Sequence, residues 1–118
     1  DSSRHWQGEE MTLGQHQEQF TRHLLALPTY ALERGYEIRI GEVQRPVEMQ
    51  ELYVKTGRSK TMNSYHLKKC AADLHFTKDG VLCYPKEIGD FWETLDPLNQ
   101  WGGNWKSFKD QPHFERHF

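Results

Sequence analysis

Between Met11 and Leu27 the apolar residues Leu13, Phe20, Leu24 and Leu27 recur at roughly helical spacing, and Thr12 stands where a cap belongs. Pro28 is expected to break or kink that helix, with a second short helix through Ala31–Arg34 stopped by Gly35. Tyr36–Val43 then alternates, with Tyr36, Ile38 and Ile40 facing one way and Glu37 and Arg39 the other, which predicts a half-buried strand. Pro46 opens a helix with Met49, Leu52 and Tyr53 on its apolar face and Gly57 at its end. Arg58–Lys69 follows neither period and reads as a loop. Ala71–Phe76 and Val81–Tyr84 read as strands joined at Asp79-Gly80, a two-residue hairpin signal that sets Cys83 opposite Phe76. Pro85 starts a helix through Ile88, Phe91, Trp92 and Leu95. Trp101–Phe108 is rich in Gly and aromatics and reads as a loop or edge, and His113–Phe118 alternates as a last strand. The expected fold class is α+β: a small, mainly antiparallel sheet with helices packed around it.

A chain of 118 residues suits one domain, here 11–118, preceded by the polar, aperiodic Asp1–Glu10 as an extension or a cloning remnant. Aromatics at 13%, four Trp among them, supply a core despite the polar average. No stretch approaches the ~20 apolar residues of a membrane helix, so no membrane insertion is expected. Nothing resembles a signal peptide, and a cytosolic, reduced origin is the simpler reading. A net charge of −2 argues against a general nucleic-acid binder. A monomer is expected.

Among seven histidines, His5, His16 and His23 fall in the tail or on the polar face of the first helix and are expected to be solvated. His66, His75, His113 and His117 lie in the loop and strand regions. A hydrolytic metal needs about three His, Asp or Glu ligands, an open position for water, and a carboxylate to take the proton. His66, Asp73 and His113 supply candidate ligands, and Asp110, three residues before His113 with Pro112 stiffening the turn, is a candidate base. Spacing alone is equally met by a surface histidine and a strand-end aspartate. A Cys2His2 set from Cys70, Cys83, His113 and His117 lacks the close cysteine spacing of structural zinc, and the hairpin register leaves Cys70 too far along its strand to pair with Cys83.

Three blocks carry more. "SYHLKKCAADLHF" (Ser64–Phe76) resembles the zinc-ligand motif S-x-H-x-x-G-x-A-x-D of the peptidoglycan zinc peptidases, which include D-alanyl-D-alanine carboxypeptidases and dipeptidases and phage L-alanyl-D-glutamate endopeptidases. "GGNWKSFKDQPHFE" (Gly102–Glu115) resembles that family's second motif, an acid three residues before a histidine. "GEVQRPVEMQELYVKTGRSKT" (Gly41–Thr61) resembles its upstream block, a strand ending in arginine and then a helix.

The resemblance implies one Zn2+ in a cleft on the sheet, held by His66, Asp73 and His113. It implies Asp110 as general base for the attacking water and Arg45 as the cation that stabilises the oxyanion. Ser64 would orient substrate, and Trp105 and Tyr53 would pack around the site, Trp105 as a candidate substrate contact. One departure is Cys70, where the family usually has glycine; a left-handed backbone there would be strained, and a fourth ligand or an oxidation site is the other reading of the thiol. Strand alternation puts Asp73 and His75 on one face, and His113 and Glu115 on one face, so Glu115 is either a rival base or the holder of a ligand imidazole. Lys55, Arg58, Lys60, Lys68 and Lys69 crowd a segment without acids, and Arg58 and Lys60 are candidate contacts for the carboxylates of a peptidoglycan stem peptide. The expected function is a zinc endopeptidase of phage endolysin type, present in the host cytoplasm before release to the wall. A D,D-carboxypeptidase or dipeptidase, or a wall-binding member without activity, is the alternative.

Overall fold

The computed structural model describes residues 11–43, 47–57, 65, 66 and 68–118, with 47–50 described by backbone alone. Arg45, Pro46, Arg58, Lys60 and Ser64 lie outside the described residues, as does the segment 1–10.

Helix α1 runs unbroken through Leu13–Glu33 with Pro28 inside it. Thr12 caps it in a reciprocal box, its hydroxyl accepting from the Gln15 N–H at 3.1 Å while the Gln15 side chain accepts from the Thr12 N–H at 2.9 Å. The expected break at Pro28 does not occur. An interior proline costs about 3 kcal/mol, but Leu27 and Ala31 on either side of it are fully buried, and Tyr30 stacks on Phe91 at 3.9 Å. Tertiary packing of that face therefore outweighs the local penalty. Gly35 ends the helix as expected, with its N–H on Leu32 O at 3.0 Å and the Tyr36 N–H on Ala31 O at 3.1 Å.

Strand β1 covers Glu37–Ile40. Its apolar alternation holds for Tyr36 and Ile38 but fails at Ile40, which is 72% exposed on this edge strand. Helix α2 is Val47–Lys55, and Leu52, expected on a buried face, is 47% exposed. The hairpin is as expected: β2 (Ala71–Lys78) turns through Asp79 (φ 53°) and Gly80 (φ 77°) into β3 (Val81–Cys83), with Phe76 opposite Cys83. Helix α3 (Lys86–Thr94) buries Ile88 and Trp92. The short strand β4 (Asn99–Trp101) and a 3-10 turn at Gly102–Asn104 occupy what reads from sequence as a loop or edge.

Strand β5 (His113–Arg116) is central rather than peripheral, since the sheet runs β1-β2-β5-β4 with β3 also beside β2, every pair antiparallel. All four of its residues are buried, so its alternation is one of faces and not of exposure. On one face Phe114 packs with Phe76, Trp92 and Trp101, and on the other lie His113 and Glu115. His16 is not solvated. It is 2% exposed, stacks on Phe118 at 3.8 Å and accepts from Arg116 Nε at 3.1 Å, while the Arg116 guanidinium reaches Asp96 at 3.0 Å. His23 likewise meets Asn99 at 3.2 Å and is half-buried. The two apparently polar positions on α1 answer to groups far along the chain. No helix among the described residues is long and apolar enough to cross a membrane.

Gly102 joins this frame to the segment carrying Asp110. Its carbonyl accepts the Asp110 N–H at 2.9 Å, and a Cβ on it would stand 2.2 Å from the Asp110 carbonyl oxygen. Gly102→Ala is expected to destabilise the protein by about 1–3 kcal/mol through overpacking; an unchanged thermal midpoint would contradict this packing.

Candidate metal centre

Asp73 and His113 are direct partners across the β2–β5 ladder, so their side chains share one face a short distance apart. His66 comes from the turn before β2. That turn closes with Cys70 N–H on Tyr65 O at 2.9 Å and uses a left-handed backbone at Lys69 (φ 59°), and the Gln17 amide ties it to α1 through Lys68 O at 3.0 Å. Counted from Ser64, the motif's glycine falls on Lys69 and not, as expected, on Cys70, and Lys69 is the residue with positive φ, so the departure from glycine that carries backbone strain is Lys69, while Cys70 has none. Cys70 is fully buried, and burial pushes its thiol up to about 11, the state of an inert packing residue.

The three side chains converge. His66 Nε2 lies 3.2 Å from His113 Nδ1 and 3.3 Å from Asp73 Oδ1, and Asp73 Oδ1 lies 3.6 Å from His113 Nδ1. The outer nitrogens fix the inner ones. His66 Nδ1 donates to Val43 O at 3.2 Å, and His113 Nε2 donates to Glu115 Oε1 at 2.7 Å. Both imidazoles therefore turn a lone pair inward when neutral. Asp73 Oδ1 is buried without a hydrogen-bond partner, an arrangement that is costly unless a cation sits among these atoms. Tetrahedral ligands about 2.0–2.1 Å from a zinc-sized ion stand about 3.3 Å apart, close to the separations found. Among the described residues these three form the one His/Cys/Asp/Glu group with metal-holding geometry.

The electrostatics are those of a cation site. Burial works to raise the Asp73 carboxyl, but His113 and His66 overcome it and hold it well below the usual carboxylate range. Burial works to lower His113, but the Asp73 and Glu115 carboxylates overcome it and push the imidazole up to about 9. Glu115 is 6% exposed in its side chain, bridges His113 and His117 (2.9 Å), and is held low by both against the opposing effect of burial. Of its two expected roles it takes that of imidazole holder. Asp110 stands at the rim, 39% exposed, with Oδ2 4.0 Å from His113 Nδ1. Trp105 packs its ring 5.1 Å from that of His113 and donates to Gln100 at 3.4 Å. Sequence reasoning did not single out the Val43 carbonyl that orients His66, nor Tyr84, whose hydroxyl lies 2.9 Å from His75 Nδ1.

The α+β sheet thus carries on one face a His-Asp-His group that could hold a metal ion, with a carboxylate at its rim. A family model described as D-alanyl-D-alanine carboxypeptidase matches residues 57–116, and the chain belongs to that peptidase family. It is 36% identical to an L-alanyl-D-glutamate peptidase of a Listeria phage, over 69% of this chain and 31% of that one. It is 32% identical to a peptidoglycan L-alanyl-D-glutamate endopeptidase of Bacillus subtilis, over 76% of this chain and 66% of that one. The crystal structure of the Serratia marcescens L-Ala D-Glu endopeptidase is similar at a TM-score of 0.63 and 26% identity, covering 84% of this chain and 78% of that chain. The chain thus spans 31% of the phage relative and 66% of the Bacillus one.

Two outcomes follow from the geometry. Glu115→Gln is expected to weaken metal affinity by about 10–100-fold by loosening His113, measured by competition with a chromophoric chelator; unchanged affinity would contradict the role of Glu115. In the metal-free protein His113 holds its proton up to about pH 9. A metal must displace that proton, so apparent affinity rises with pH and levels off above about 9. Binding at neutral pH releases protons, which calorimetry in buffers of different ionisation enthalpy will detect.

Proposed function

We propose that this chain is a zinc-dependent peptidase that hydrolyses an amide bond in peptidoglycan stem peptides, of L-alanyl-D-glutamate endopeptidase type. The observation that carries the reading is the convergence of His66 Nε2, Asp73 Oδ1 and His113 Nδ1, with separations of 3.2–3.6 Å, beside the rim carboxylate of Asp110. The names of the phage, Bacillus and Serratia relatives support the choice of bond.

His66, Asp73 and His113 would hold the zinc, and two histidines with one carboxylate would leave it strongly electrophilic, so that it would supply Lewis acidity to the scissile carbonyl and to a water. Asp110 takes the proton of the attacking water and returns it to the leaving amine nitrogen. Glu115 keeps the His113 ring aligned while charge shifts at the centre. Arg45 is the cation assigned to the developing oxyanion, Ser64 orients the peptide, and Arg58 and Lys60 attract its carboxylates. Trp105 lines the site beside His113. The Listeria phage relative favours a role in lysis, with release to the wall from the host cytoplasm. Action as a monomer is part of the same proposal. A second reading, D-alanyl-D-alanine carboxypeptidase, is favoured by the description of the matching family model.

Purified protein incubated with peptidoglycan is expected to generate new L-Ala carboxyl and D-Glu amino termini by mass spectrometry. Chelator is expected to abolish them and zinc to restore them. D-Ala release instead would select the second reading, and no cleavage would leave a wall-binding protein. Asp110→Asn is expected to keep zinc and lose about 10²–10⁴-fold in kcat; retained turnover would remove Asp110 from the base role. Arg58→Ala or Lys60→Ala is expected to raise KM more than it lowers kcat, and an unchanged KM would remove the basic segment from substrate recognition.

A further inference from the structure

The face of β2 that carries Asp73 also carries His75, two residues on, and one more step along the β2–β3 register from Phe76 opposite Cys83 sets Tyr84 opposite His75. The contact follows: His75 Nδ1 and the Tyr84 hydroxyl are 2.9 Å apart, with their rings edge to face at 6.0 Å. On the other side of β2, Arg39 is the register partner of His75 and is exposed. Gly41 makes room for this pair. A Cβ there would stand 3.2 Å from His75 Nε2 and 3.1 Å from the Asp73 carbonyl oxygen. The glycine is also the first of two residues that face Asp73 as a bulge, its N–H bonding Asp73 O at 2.7 Å while the Asp73 N–H bonds Glu42 O at 2.7 Å.

Tyr84 is part-exposed. Partial burial raises its pKa, and the charges of Asp110 and Asp73 raise it further, so the phenol keeps its proton and feels both carboxylates of the site. With His75 donating from Nδ1, the Tyr84 oxygen accepts and its proton remains free for another acceptor.

We propose that the Tyr84 hydroxyl, held in place by His75, donates a hydrogen bond to an anionic oxygen of the peptide bound at the metal centre, making Tyr84 a substrate-contacting residue and His75 its positioning residue. The assignment rests on the peptidase reading above. The acceptor is either a free carboxylate of the stem peptide or the oxyanion formed at the scissile carbonyl, and kinetics separate them. Tyr84→Phe removes the donor and keeps the ring. It is expected to lower kcat/KM about 10–100-fold, the range for a hydrogen bond to a charged group, with zinc content unchanged. A rise in KM assigns the carboxylate, and a fall in kcat assigns the oxyanion.

Because His75 acts only through Tyr84, His75→Ala is expected to give a similar loss, and the double variant no more than either single one. His75→Asn, whose amide can stand in for the Nδ1 donor, is expected to recover most of the rate. Tyr84→Phe at the wild-type kcat/KM, additive losses in the double variant, or zinc lost from Tyr84→Phe would each overturn the proposal. A wild-type protein that cuts no peptide would overturn this proposal and the peptidase reading together, whereas normal wild-type cleavage with an active Tyr84→Phe overturns this one alone.

Discussion

The antiparallel pairing of β2 with β5 is the constraint on which the rest depends. It joins residues forty positions apart and sets Asp73 directly opposite His113. A one-residue slip of β5 against β2 would set Phe114 opposite Asp73 and turn His113 to the core face, because opposed residues share a face and side chains alternate strictly along a strand. The core prevents that slip. Ala72, Leu74 and Phe76 on β2 and Phe114 on β5 are each at most 1% exposed, and Phe114 sits among Phe76, Trp92 and Trp101. Packing on one face of two strands thus fixes the coordination geometry on the other.

The metal face by itself gathers negative charge. Asp73, Glu115 and Asp110 surround two imidazoles, and Asp73 Oδ1 is buried without a hydrogen-bond partner. In the metal-free protein, protonation of His113 offsets part of this, since its folded pKa of about 9 lies above the ordinary value of 6.5. The sign of this coupling is fixed: its stabilising effect is fully present below about pH 6.5 and fades as pH rises through about 9. A divalent cation among the same atoms would offset that charge in place of the proton. The Glu115 bond to His113 Nε2 leaves Nδ1 facing inward for either one.

What could be read from the chain is what local chemistry dictates. Thr12 with Gln15, Gly35, and Asp79-Gly80 each fix a backbone state within a few residues, and the helix start, helix stop and hairpin register they predict are present. The grouping of His66, Asp73 and His113 was legible only because three separated blocks resemble one family, and the structure brings those three side chains together; spacing alone left His66 and Asp73 undecided. What was misjudged depends on distant partners. Pro28 stays helical because Leu27 and Ala31 are buried. His16 looked solvated because Arg116 and Phe118, a hundred residues away, are invisible to helical periodicity. β4 is three residues long, too short for alternation to register, and that β5, the last strand in the chain, lies between two neighbours is a pairing that chain order does not reveal.

Lys69, which stands where the motif S-x-H-x-x-G-x-A-x-D has its glycine, shows how far a family pattern can relax, and Cys70 beside it occupies a position the motif leaves open. Between His66 and Asp73 the chain must reverse out of the turn and enter β2, and one residue must take a left-handed backbone to do so. That residue is Lys69, which is not glycine and accepts the strain, while Cys70 passes into the strand with ordinary dihedrals. Its N–H and carbonyl are both bonded, to Tyr65 O at 2.9 Å and from Arg116 N at 2.8 Å. The second bond carries the Arg116–His16 network to within three residues of the ligand Asp73. Position 70 therefore asks for a small, fully buried side chain and a paired backbone, and cysteine meets both requirements, its thiol lying outside the His66, Asp73 and His113 group.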